Sequence, residues 1–408
     1  MDPIRLLKKD DFQDSLALSE FAFQYTVLPE ERDEKLAVMA SQQTLGYFVE
    51  DRLAAKLTIL ELETWVNGKA FDMGGIAGVA TWPEYRRQGM VGQLLSRALQ
   101  TMKESGQILS FLAPFAFAFY RKYGWEAYIE YMRYEIATHQ LPKPEVAEGS
   151  TLQRIEAEPA VLNPIYEAYA KRFNGMLVRT GDWWRNSVFK RKKGIVTLYR
   201  NAAGEPEGYI IYQVKDKVFT VHELIALTED ANRGLWRLIS NHDSMIDKVV
   251  CQAPLGDPLP FVLADPRIKQ EVVPYFMARI VDAAAFLRGY PFNAVVEGVS
   301  EGKPFYLQLS DGHAEWNNGI FRIQPGQGEG NDVVKLSEEQ TFAIEVGSDK
   351  KEERHIVSCD IQTLSALLMG YKRASLLYRI GRLQGDAGEI SRWERFIPER
   401  TTYLTDFF

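Results

Sequence analysis

Residues 78–91 of the chain read GVATWPEYRRQGMV, an apolar strand that breaks at Pro83 and turns through a basic, glycine-bearing loop. The loop leads into an amphipathic helix over residues 92–99. The first backbone N–H groups of a helix have no partner within the helix, and the helix dipole adds partial positive charge there. Arg86 and Arg87 bring two further positive charges to the same turn. The pattern therefore predicts a docking site for a pyrophosphate at this strand–loop–helix junction.

The composition bounds the class of protein. The chain has 408 residues, of which 46% are hydrophobic and 25% are charged, as in ordinary globular proteins. This length predicts two to three domains. The formal net charge of −7 argues against a nucleic-acid partner, because no basic surface of the needed size is available, and it favours cationic partners such as amines.

Cysteines, histidines and apolar runs indicate the compartment and argue against several kinds of site. Cys251 and Cys359 are too few and too isolated for a zinc site or a disulfide framework, which predicts a reducing cytoplasm. The N-terminus lacks the apolar core of a signal peptide, and no apolar run is long enough to span a bilayer, so no membrane partner is expected. The five histidines have no ligand spacing, so no bound metal is expected.

The order of predicted elements divides the chain into three domains, of which the first covers residues 1–145. In this domain the strand Ile76–Thr81 and the helix Gly92–Lys103 flank the basic loop. Further strands are predicted at Thr44–Val49, Ala54–Trp65, Ile108–Leu112 and Tyr131–Ile136, with a hairpin turn at Asn67-Gly68. Antiparallel strands that lead into a crossover helix indicate a mixed α/β layer.

Residues 146–284 are predicted to be a degenerate copy of the same fold. Strands predicted at Gly208–Val214, Phe219–His222 and Glu223–Leu227 lead into a helix over residues 228–238. The order strand, Thr, acidic residue, Arg-Gly-Leu and helix echoes the first domain, although a chance similarity of two crossovers remains the alternative. Because the basic loop is shortened and the arginine pair is missing, the second copy is not expected to bind the ligand of the first.

Residues 285–408 are predicted to form a third domain of α+β type. Its predicted elements are the strands Phe305–Leu309, Ala314–Trp316, Gly319–Ile323 and Phe342–Val346 and the helix Asp360–Met369. The chain ends in two aromatic residues, which are costly to expose, so the tail should dock and carry the α-carboxylate of Phe408 with it. Either the tail only fills an apolar groove, or this carboxylate attracts an amine and accepts its proton.

The strand, the loop Pro-Glu-Tyr-Arg-Arg-Gln-Gly and the helix together resemble the acetyl-coenzyme A signature of the GNAT N-acetyltransferases, centred on Arg86-x-x-Gly89-x-Val91. That family usually has Gly or Ala where this chain has Val91, a mild departure for a loop that binds through N–H groups. The ordinary alternative is a strand–turn–helix crossover with surface arginines. The resemblance implies that acetyl-CoA is bound by Val79, Ala80, Thr81, Arg86, Arg87, Gln88, Gly89, Met90 and Val91.

Across nearly its whole length the chain resembles the Eis (enhanced intracellular survival) family of acetyltransferases. The matching segments are Pro83–Gly89, Phe119–Gly124, Leu235-Trp236, Asp243–Met245, Asp257–Pro260, Arg279–Asp282, Gly370–Ser375 and the aromatic C-terminus. The resemblance implies tandem GNAT-like domains with mixed α/β sheets, the first active and the second without catalysis. It also implies a C-terminal domain similar to sterol carrier proteins and assembly into a homo-hexamer.

Acetyl transfer from a thioester to an amine needs a polarised carbonyl, an amine that loses a proton and a thiolate that gains one. The resemblance implies that a backbone N–H of the signature strand, from Val79 to Thr81, polarises the carbonyl. It implies Tyr120 as the general acid, and a phenol pKa of about 10 lies just above a thiol pKa of about 8.5. It also implies that the C-terminal carboxylate of Phe408 enters the active site as the general base.

The amine acceptor is the part of the prediction that the sequence leaves open. The resemblance implies aminoglycoside acetylation in a large, negatively charged cavity, yet the lid region over residues 21–26 is aromatic and uncharged. Phe23, Tyr25 and Asp406 are the predicted acceptor-binding residues, and Tyr25 stands where an acidic residue is expected. Aminoglycosides, polyamines and lysine side chains all remain open. The competing function is a non-catalytic ligand-binding or regulatory protein with a relic acyl-CoA site and a C-terminal domain for an apolar ligand.

Overall fold

The computed structural model describes residues 2–293, 303–328, 330–337, 339–340 and 355–408. The described helices are α1 Phe12–Phe23, α2 Arg32–Ala40, α3 Met90–Glu104, α4 Phe117–Arg121, α5 Pro159–Ala170, α6 Gly181–Trp183, α7 Phe189–Arg191, α8 Glu229–Ser240, α9 Leu259–Val262, α10 Ala283–Gly289, α11 Ile361–Leu368, α12 Ala374–Arg379 and α13 Ala387–Phe396. The described strands are β1 Ile4–Leu6, β2 Gln43–Val49, β3 Arg52–Val66, β4 Lys69–Thr81, β5 Leu109–Leu112, β6 Glu126–Ala127, β7 Glu130–Ala137, β8 Thr151–Ile155, β9 Ile195–Arg200, β10 Pro206–Lys215, β11 Val218–Ala226, β12 Lys248–Pro254, β13 Lys269–Pro274, β14 Met277–Ile280, β15 Phe305–Ser310, β16 Gly319–Gly328, β17 Gly330–Lys335 and β18 Ile356–Asp360. Across these described ranges, every helix is too short or too polar to cross a bilayer.

The first sheet carries the basic loop and has the strand order β1-β2-β3-β4-β5-β14-β6. Its two longest strands, β3 and β4, form a hairpin whose turn residues Asn67 and Gly68 have φ angles of +50° and +79°, which confirms the predicted turn. The apolar side of α3 packs on this sheet and builds the core of the first domain. The strand and the helix predicted on either side of the loop are therefore confirmed as β4 and α3.

Strands β4 and β5 separate at the end that leads to the basic loop. Along β4, parallel pairing with β5 covers only residues Met73–Ile76. A β-bulge lies just beyond, where Gly78 and Val79 together face Leu57 of β3, and Gly78 adopts a φ of +58° that favours glycine. The sheet therefore opens into a V-shaped cleft between β4 and β5, next to the loop.

The second sheet repeats this design with the strand order β13-β7-β12-β11-β10-β9-β8. Strands β11 and β12 are connected by α8 and pair in parallel only over the β11 residues Val218–Thr220. The predicted strands Phe219–His222 and Glu223–Leu227 form one strand, β11, and the predicted break between them coincides with a β-bulge at His222. The prediction of two successive copies of one mixed α/β fold is confirmed.

The two sheets exchange strands, which the sequence did not indicate. Strand β7 follows the first sheet along the chain but pairs with β12 and β13 of the second sheet. Strand β14 comes near the end of the second segment but lies between β5 and β6 of the first sheet. The predicted strand Tyr131–Ile136 thus exists but belongs to the second sheet. The domain ranges 1–145 and 146–284 stay a prediction, and one strand of each range crosses to the other sheet.

The third sheet has the strand order β17-β16-β15-β18 and packs against helices α10 to α13 in one continuous apolar core. The predicted strands Phe305–Leu309 and Gly319–Ile323 are confirmed as parts of β15 and β16. The predicted helix Asp360–Met369 is confirmed as α11, which the Asp360 side chain caps. The predicted strand Phe342–Val346 lies outside the described residues.

One predicted strand of the third domain is wrong. Residues Ala314–Trp316 do not form a strand, because residues Glu315–Asn317 form a 3₁₀ turn. The Asp311 carboxylate causes this turn, since it accepts the backbone N–H groups of His313 and Ala314 at 3.0 and 3.2 Å.

Candidate active site

The loop between β4 and α3 presents a row of free backbone N–H groups. Gly89 is the N-cap residue of α3 with a φ of +79°, and Arg87 also has a positive φ of +64°. No side chain caps the helix, and none of the six N–H groups from Arg87 to Gly92 donates a hydrogen bond within the described parts of the chain. Consecutive N–H groups of this kind, at the positive end of a helix dipole, form a concave anion site.

Two exposed arginines make this anion site strongly cationic. Arg86 and Arg87 both reach solvent, and the first turn of α3 contains no acidic residue. Nε of Arg86 donates to the carbonyl oxygen of Thr81 at 3.4 Å, and the Gln88 amide donates to the carbonyl oxygen of Glu84 at 3.2 Å. The structure thus brings the predicted residues from Arg86 to Val91 together on one turn, and their donors fit the charge of a pyrophosphate.

The corresponding helix of the second domain begins quite differently. The hydroxyl oxygen of Thr228 caps α8 by accepting the N–H of Ala231 at 3.2 Å. Glu229 and Asp230 then place two negative charges in the first turn. This helix start repels an anion that the start of α3 attracts, which supports the prediction that the second copy does not bind the same ligand.

Residues Val79, Ala80 and Thr81 form the last part of β4, where β5 no longer pairs with the strand. Ala80 is buried, whereas Val79 and Thr81 are half-buried. Their backbone therefore borders the cleft between β4 and β5 and leads directly to the loop. A ligand whose phosphates lie on the loop can extend along this open strand edge.

Tyr120 lies on α4, the short helix that follows β5 at the same end of the cleft. It is 2% exposed and packs in one apolar cluster with Ile76 of β4 and Leu112 of β5. The rings of Phe115 and Phe119 lie 5.1 and 5.2 Å from the Tyr120 ring. Burial raises the pKa of Tyr120 well above its usual range. The phenol is thus protonated at neutral pH, and no group within the described ranges hydrogen-bonds its hydroxyl.

Arg279 holds the segment that follows Tyr120, and sequence reasoning did not single out this side chain. It is fully buried, pairs with Asp311 at 2.6 Å and donates to the carbonyl oxygen of Tyr123. Burial lowers the pKa of Arg279, although Asp311 opposes the shift. Gly124 leaves the space that the guanidinium fills. Because Arg279 and Asp311 are far from Tyr123 in sequence, no local pattern could have indicated this contact.

Phe408 lies against the signature strand. A Cβ atom placed on Gly75 of β4 would come within 2.8 Å of the Phe408 ring, so the ring packs directly on the glycine backbone. The rings of Phe276 and Trp183 lie 4.9 and 6.3 Å away. A Cβ on the preceding residue, Gly74, would instead meet Met102 of α3, so Phe408 occupies the sheet face opposite α3. The last residue of the chain thus reaches the strand that borders the cleft.

Asp406, a predicted acceptor-binding residue, is buried and paired with Arg179. Its side chain is 2% exposed, and Nε of Arg179 donates to both of its carboxylate oxygens at 3.1 Å. The indole N–H of Trp183 donates to the same carboxylate at 2.9 Å. A buried and neutralised carboxylate cannot add negative charge to an open acceptor cavity, so Asp406 anchors the tail instead. Arg179 was missed because a single arginine between a valine and a threonine carries no pattern.

The predicted acceptor-binding residues Phe23 and Tyr25 lie at the carboxyl end of α1. Their exposed fractions are 51% and 40%, high for aromatic side chains. Two residues before Phe23 on α1, the ring of Phe21 lies 5.0 Å from the ring of Trp82, which directly follows β4. The end of α1 is therefore positioned beside the start of the basic loop, and it offers exposed aromatic surface there.

Comparison with known families divides the chain into three matches. Residues 3–128 match the family described as Acetyltransferase (GNAT) domain, and residues 175–280 match a second family with the same description. Residues 283–405 match the family described as Sterol carrier protein domain. The predicted order of tandem GNAT-like domains and a sterol-carrier-like domain is confirmed.

Individual relatives point the same way. The chain is similar to the N-acetyltransferase Eis of Mycobacterium tuberculosis, with 27% identity over 277 residues that cover 62% of this chain and 68% of that protein. A crystal structure of a probable N-acyltransferase from Enterococcus faecalis has a TM-score of 0.89 and 26% identity, and the match covers 99% of both chains. Eis1 from Mycobacterium abscessus has a TM-score of 0.78 at 19% identity over 99% of this chain and 100% of its own, which shows the shared fold.

Proposed function

Because this chain is an Eis-like GNAT N-acetyltransferase, with two GNAT domains followed by a sterol carrier protein domain, we propose that it transfers acetyl groups directly from acetyl-CoA to amines. Tyr120 acts as the general acid, and the C-terminal carboxylate of Phe408 acts as the general base. The observation that carries this proposal is the free N–H row and arginine pair at the mouth of the β4–β5 cleft.

Each proposed step corresponds to a group at the cleft. The carboxylate of Phe408 takes a proton from the ammonium group of the acceptor, whose nitrogen then attacks the thioester carbonyl. A backbone N–H of β4, from Val79 to Thr81, stabilises the negative charge on the carbonyl oxygen. As the new C–N bond forms and the C–S bond breaks, the Tyr120 hydroxyl gives its proton to the departing thiolate, and the second proton that the nitrogen loses on forming the amide restores the Tyr120 phenol. Burial raises the pKa of the phenol, so Tyr120 keeps its proton until the thiolate leaves.

We infer that the acceptor is a cationic amine of the aminoglycoside, polyamine or lysine type. The net charge of −7 attracts cations, and the exposed rings of Phe23 and Tyr25 can contact an ammonium group through their faces. The absence of an acidic side chain at position 25 makes this site less suited to a highly charged aminoglycoside than to an acceptor with fewer charges. A panel of amines assayed for release of free thiol would rank the three classes.

We also infer a reducing compartment and a homo-oligomer. Both cysteines of the described chain, Cys251 and Cys359, are unpaired and buried, as expected for a cytoplasmic protein. The family resemblance implies a hexamer, and the side chain of Phe261 on α9, which is 92% exposed, offers an apolar contact for a second copy. Sedimentation velocity on the purified chain would test this assembly.

The Tyr120→Phe variant tests the general acid. Loss of the phenolic proton should lower kcat by about 100-fold or more, the usual contribution of such a group, while the KM for acetyl-CoA stays within a few-fold. Tyr378→Phe is a matched control, because Tyr378 is exposed on α12 of the third domain. An unchanged kcat in Tyr120→Phe would remove this residue from the mechanism.

A short extension after Phe408 tests the general base. Two added residues move the free carboxylate away from the cleft, so kcat should fall by about 100-fold, with coenzyme binding retained. The same extension placed before Met1 serves as the control. Full activity of the C-terminally extended protein would discard the role of the carboxylate.

A further inference from the structure

The C-terminal tail is held chiefly by residues of the second domain. Nε of Arg179 donates to both oxygens of the Asp406 carboxylate at 3.1 Å. The Tyr166 hydroxyl donates to one of these oxygens at 3.3 Å, and the Tyr275 hydroxyl donates to the backbone carbonyl of Asp406 at 2.9 Å. The guanidinium of Arg179 also donates to the Thr405 hydroxyl at 3.0 Å. These contacts fix both the side chain and the backbone of the tail two residues before its end.

The anchor is a buried cluster of balanced charge. Arg179 forms two hydrogen bonds with Glu223 of β11 at 2.6 and 2.9 Å, and Lys192 pairs with the same carboxylate. Two cations thus face two carboxylates, those of Glu223 and Asp406. Burial alone would raise the pKa of Glu223, but Arg179 and Lys192 outweigh it and hold the pKa below its usual range. The charge of Asp406 is therefore required to balance the cluster.

A short segment of the second domain ties this anchor to the first sheet. Asn174 donates its N–H to the carbonyl of Thr401 and accepts the N–H of Tyr403, both at 3.0 Å. Two residues later, the carbonyl of Met176 accepts the N–H of Trp65 on β3 at 2.9 Å. The tail, the segment before Arg179 and β3 are thus joined by backbone hydrogen bonds. This connection explains how the end of the chain reaches β4, the neighbour of β3.

The tail also borders the cleft between β11 and β12. A cavity of about 230 Å³ lies at this cleft, lined among others by His222, Cys251, Tyr275 and Thr405. This is the place that corresponds, in the repeated fold, to the open cleft between β4 and β5. The second domain has therefore kept the cleft of an acetyltransferase while one wall of it is the tail.

We propose that the second GNAT domain is a dock for the catalytic tail, and that Arg179 is the positioning residue that sets the carboxylate of Phe408 in the active site of the first domain. The inference rests on the proposed role of that carboxylate and goes beyond it, because it assigns a function to the domain without catalysis. The rigid span is short: two peptide bonds separate the anchored Asp406 from Phe408, whose ring is held on Gly75. A change in the anchor therefore displaces the carboxylate directly.

Two full-length variants test the dock. Asp406→Asn keeps the size of the side chain but unbalances the cluster, and Tyr275→Phe removes only the hydroxyl that binds the tail backbone. Each should lower kcat, by about tenfold or more for Asp406→Asn and by about three- to tenfold for Tyr275→Phe, while the KM for acetyl-CoA stays within twofold. Tyr131→Phe is the matched control, because Tyr131 lies on β7 with its ring 5.2 Å from the ring of Tyr275. Its kcat should remain that of the wild type.

Chemical rescue separates positioning from a general loss of structure. Added formate supplies a mobile carboxylate, so it should restore part of the kcat of Asp406→Asn and of the C-terminally extended protein, and leave the wild type unchanged. A lowered kcat without any rescue, or a raised KM for acetyl-CoA, would overturn the positioning role. If Asp406→Asn does not fold, the kcat, the KM for acetyl-CoA and the formate rescue of Tyr275→Phe test the positioning role instead.

The outcomes also distinguish the dock from the proposed function. If the C-terminal extension abolishes activity but Asp406→Asn and Tyr275→Phe keep the wild-type kcat, the carboxylate mechanism stands and the dock is wrong. If the extension leaves kcat unchanged, the carboxylate mechanism itself fails, and the dock fails with it.

Discussion

Gly124 illustrates how one residue can couple the active-site segment to the rest of the molecule. Its φ of +91° lies in the region that favours glycine, and a Cβ atom there would collide with the guanidinium of Arg279. That guanidinium is buried and paired with Asp311, so it has no free space into which to move. The segment that carries Tyr120 thus depends on a glycine four residues further along.

Gly124→Ala should lower the free energy of unfolding by about 3 kcal/mol or more, because the backbone strain adds to the displacement of a buried ion pair. Gly106→Ala is the control, since Gly106 has a φ of +76° and no atom within 4 Å of an added Cβ. That variant should lose only about 1 kcal/mol. Thermal and urea unfolding would measure both, and equal losses would contradict the role assigned to Arg279.

Lys56 is a buried cation without a carboxylate partner among the described residues. Its Nζ donates to the carbonyl and hydroxyl of Ser15, both at 2.8 Å, and to the hydroxyl of Ser19 at 2.6 Å. Burial lowers the pKa of Lys56 to about 8, below the usual lysine value of about 10.4 in the unfolded chain. The unfolded state therefore binds more protons than the folded state between these two values.

Because the unfolded state binds more protons, the free energy of unfolding should rise with pH through this range. From pH 7 to pH 10, the free energy of unfolding of the wild type should increase by roughly 2–3 kcal/mol relative to Lys56→Met. Parallel urea titrations of both proteins at several pH values would measure the difference. A constant difference across this range would show that the pKa of Lys56 is not lowered by folding.

At the scale of the element, the starts of α3 and α8 differ in charge and capping, and we predict that only α3 takes the coenzyme. Its N–H groups are free and its loop has two arginines, whereas α8 is capped by Thr228 and begins with two acids. Arg86→Ala and Arg87→Ala should each raise the Kd of coenzyme A by about tenfold, since one charge-assisted contact is lost. Arg97→Ala, on the same helix but paired with Asp2, should leave it unchanged.

Titration calorimetry at two salt concentrations would measure this effect. The salt dependence of coenzyme binding should weaken in the two loop variants and stay the same in the Arg97 variant, because only the loop arginines face the phosphates. Equal affinities of the wild type and the three arginine variants for coenzyme A would show that the phosphates bind elsewhere.

At the scale of the whole molecule, the strand exchange makes the first two domains one folding unit. Strand β14 supplies four buried residues between β5 and β6, and β7 leaves the first sheet for the second. A fragment of residues 1–145 would therefore lack the strand between β5 and β6 and expose β7 without its partners.

We expect this fragment to be aggregated or unfolded and to show no coenzyme binding, while the full chain unfolds cooperatively. Circular dichroism and calorimetry would measure both. The second fragment, residues 146–408, should restore binding when the two are expressed together. A soluble, folded fragment 1–145 that binds coenzyme A alone would contradict this interdependence.

Local patterns were enough to predict the loop between β4 and α3, the strands and helices beside it and the repeat of the fold. Residues 78–91 are consecutive, and the free N–H groups, the turn and the helix dipole depend only on neighbours in the chain. The position of Tyr120 after β5 could also be predicted, because it too depends only on neighbours in the chain. By contrast, no local sequence pattern marks the isolated Arg179, the buried Asp406 or Gly75 under the ring of Phe408.

The tertiary structure alone placed Asp406 against Arg179, 227 positions away, and exchanged β7 and β14 between sheets. It also changed Asp406 from a predicted acceptor-binding residue to an anchor. These contacts depend on packing and on charge balance among residues from all parts of the chain, and burial decides their strength. Sequence neighbours therefore dictate the free N–H groups and the positive charge of the loop after β4, whereas distant buried partners dictate where the chain ends.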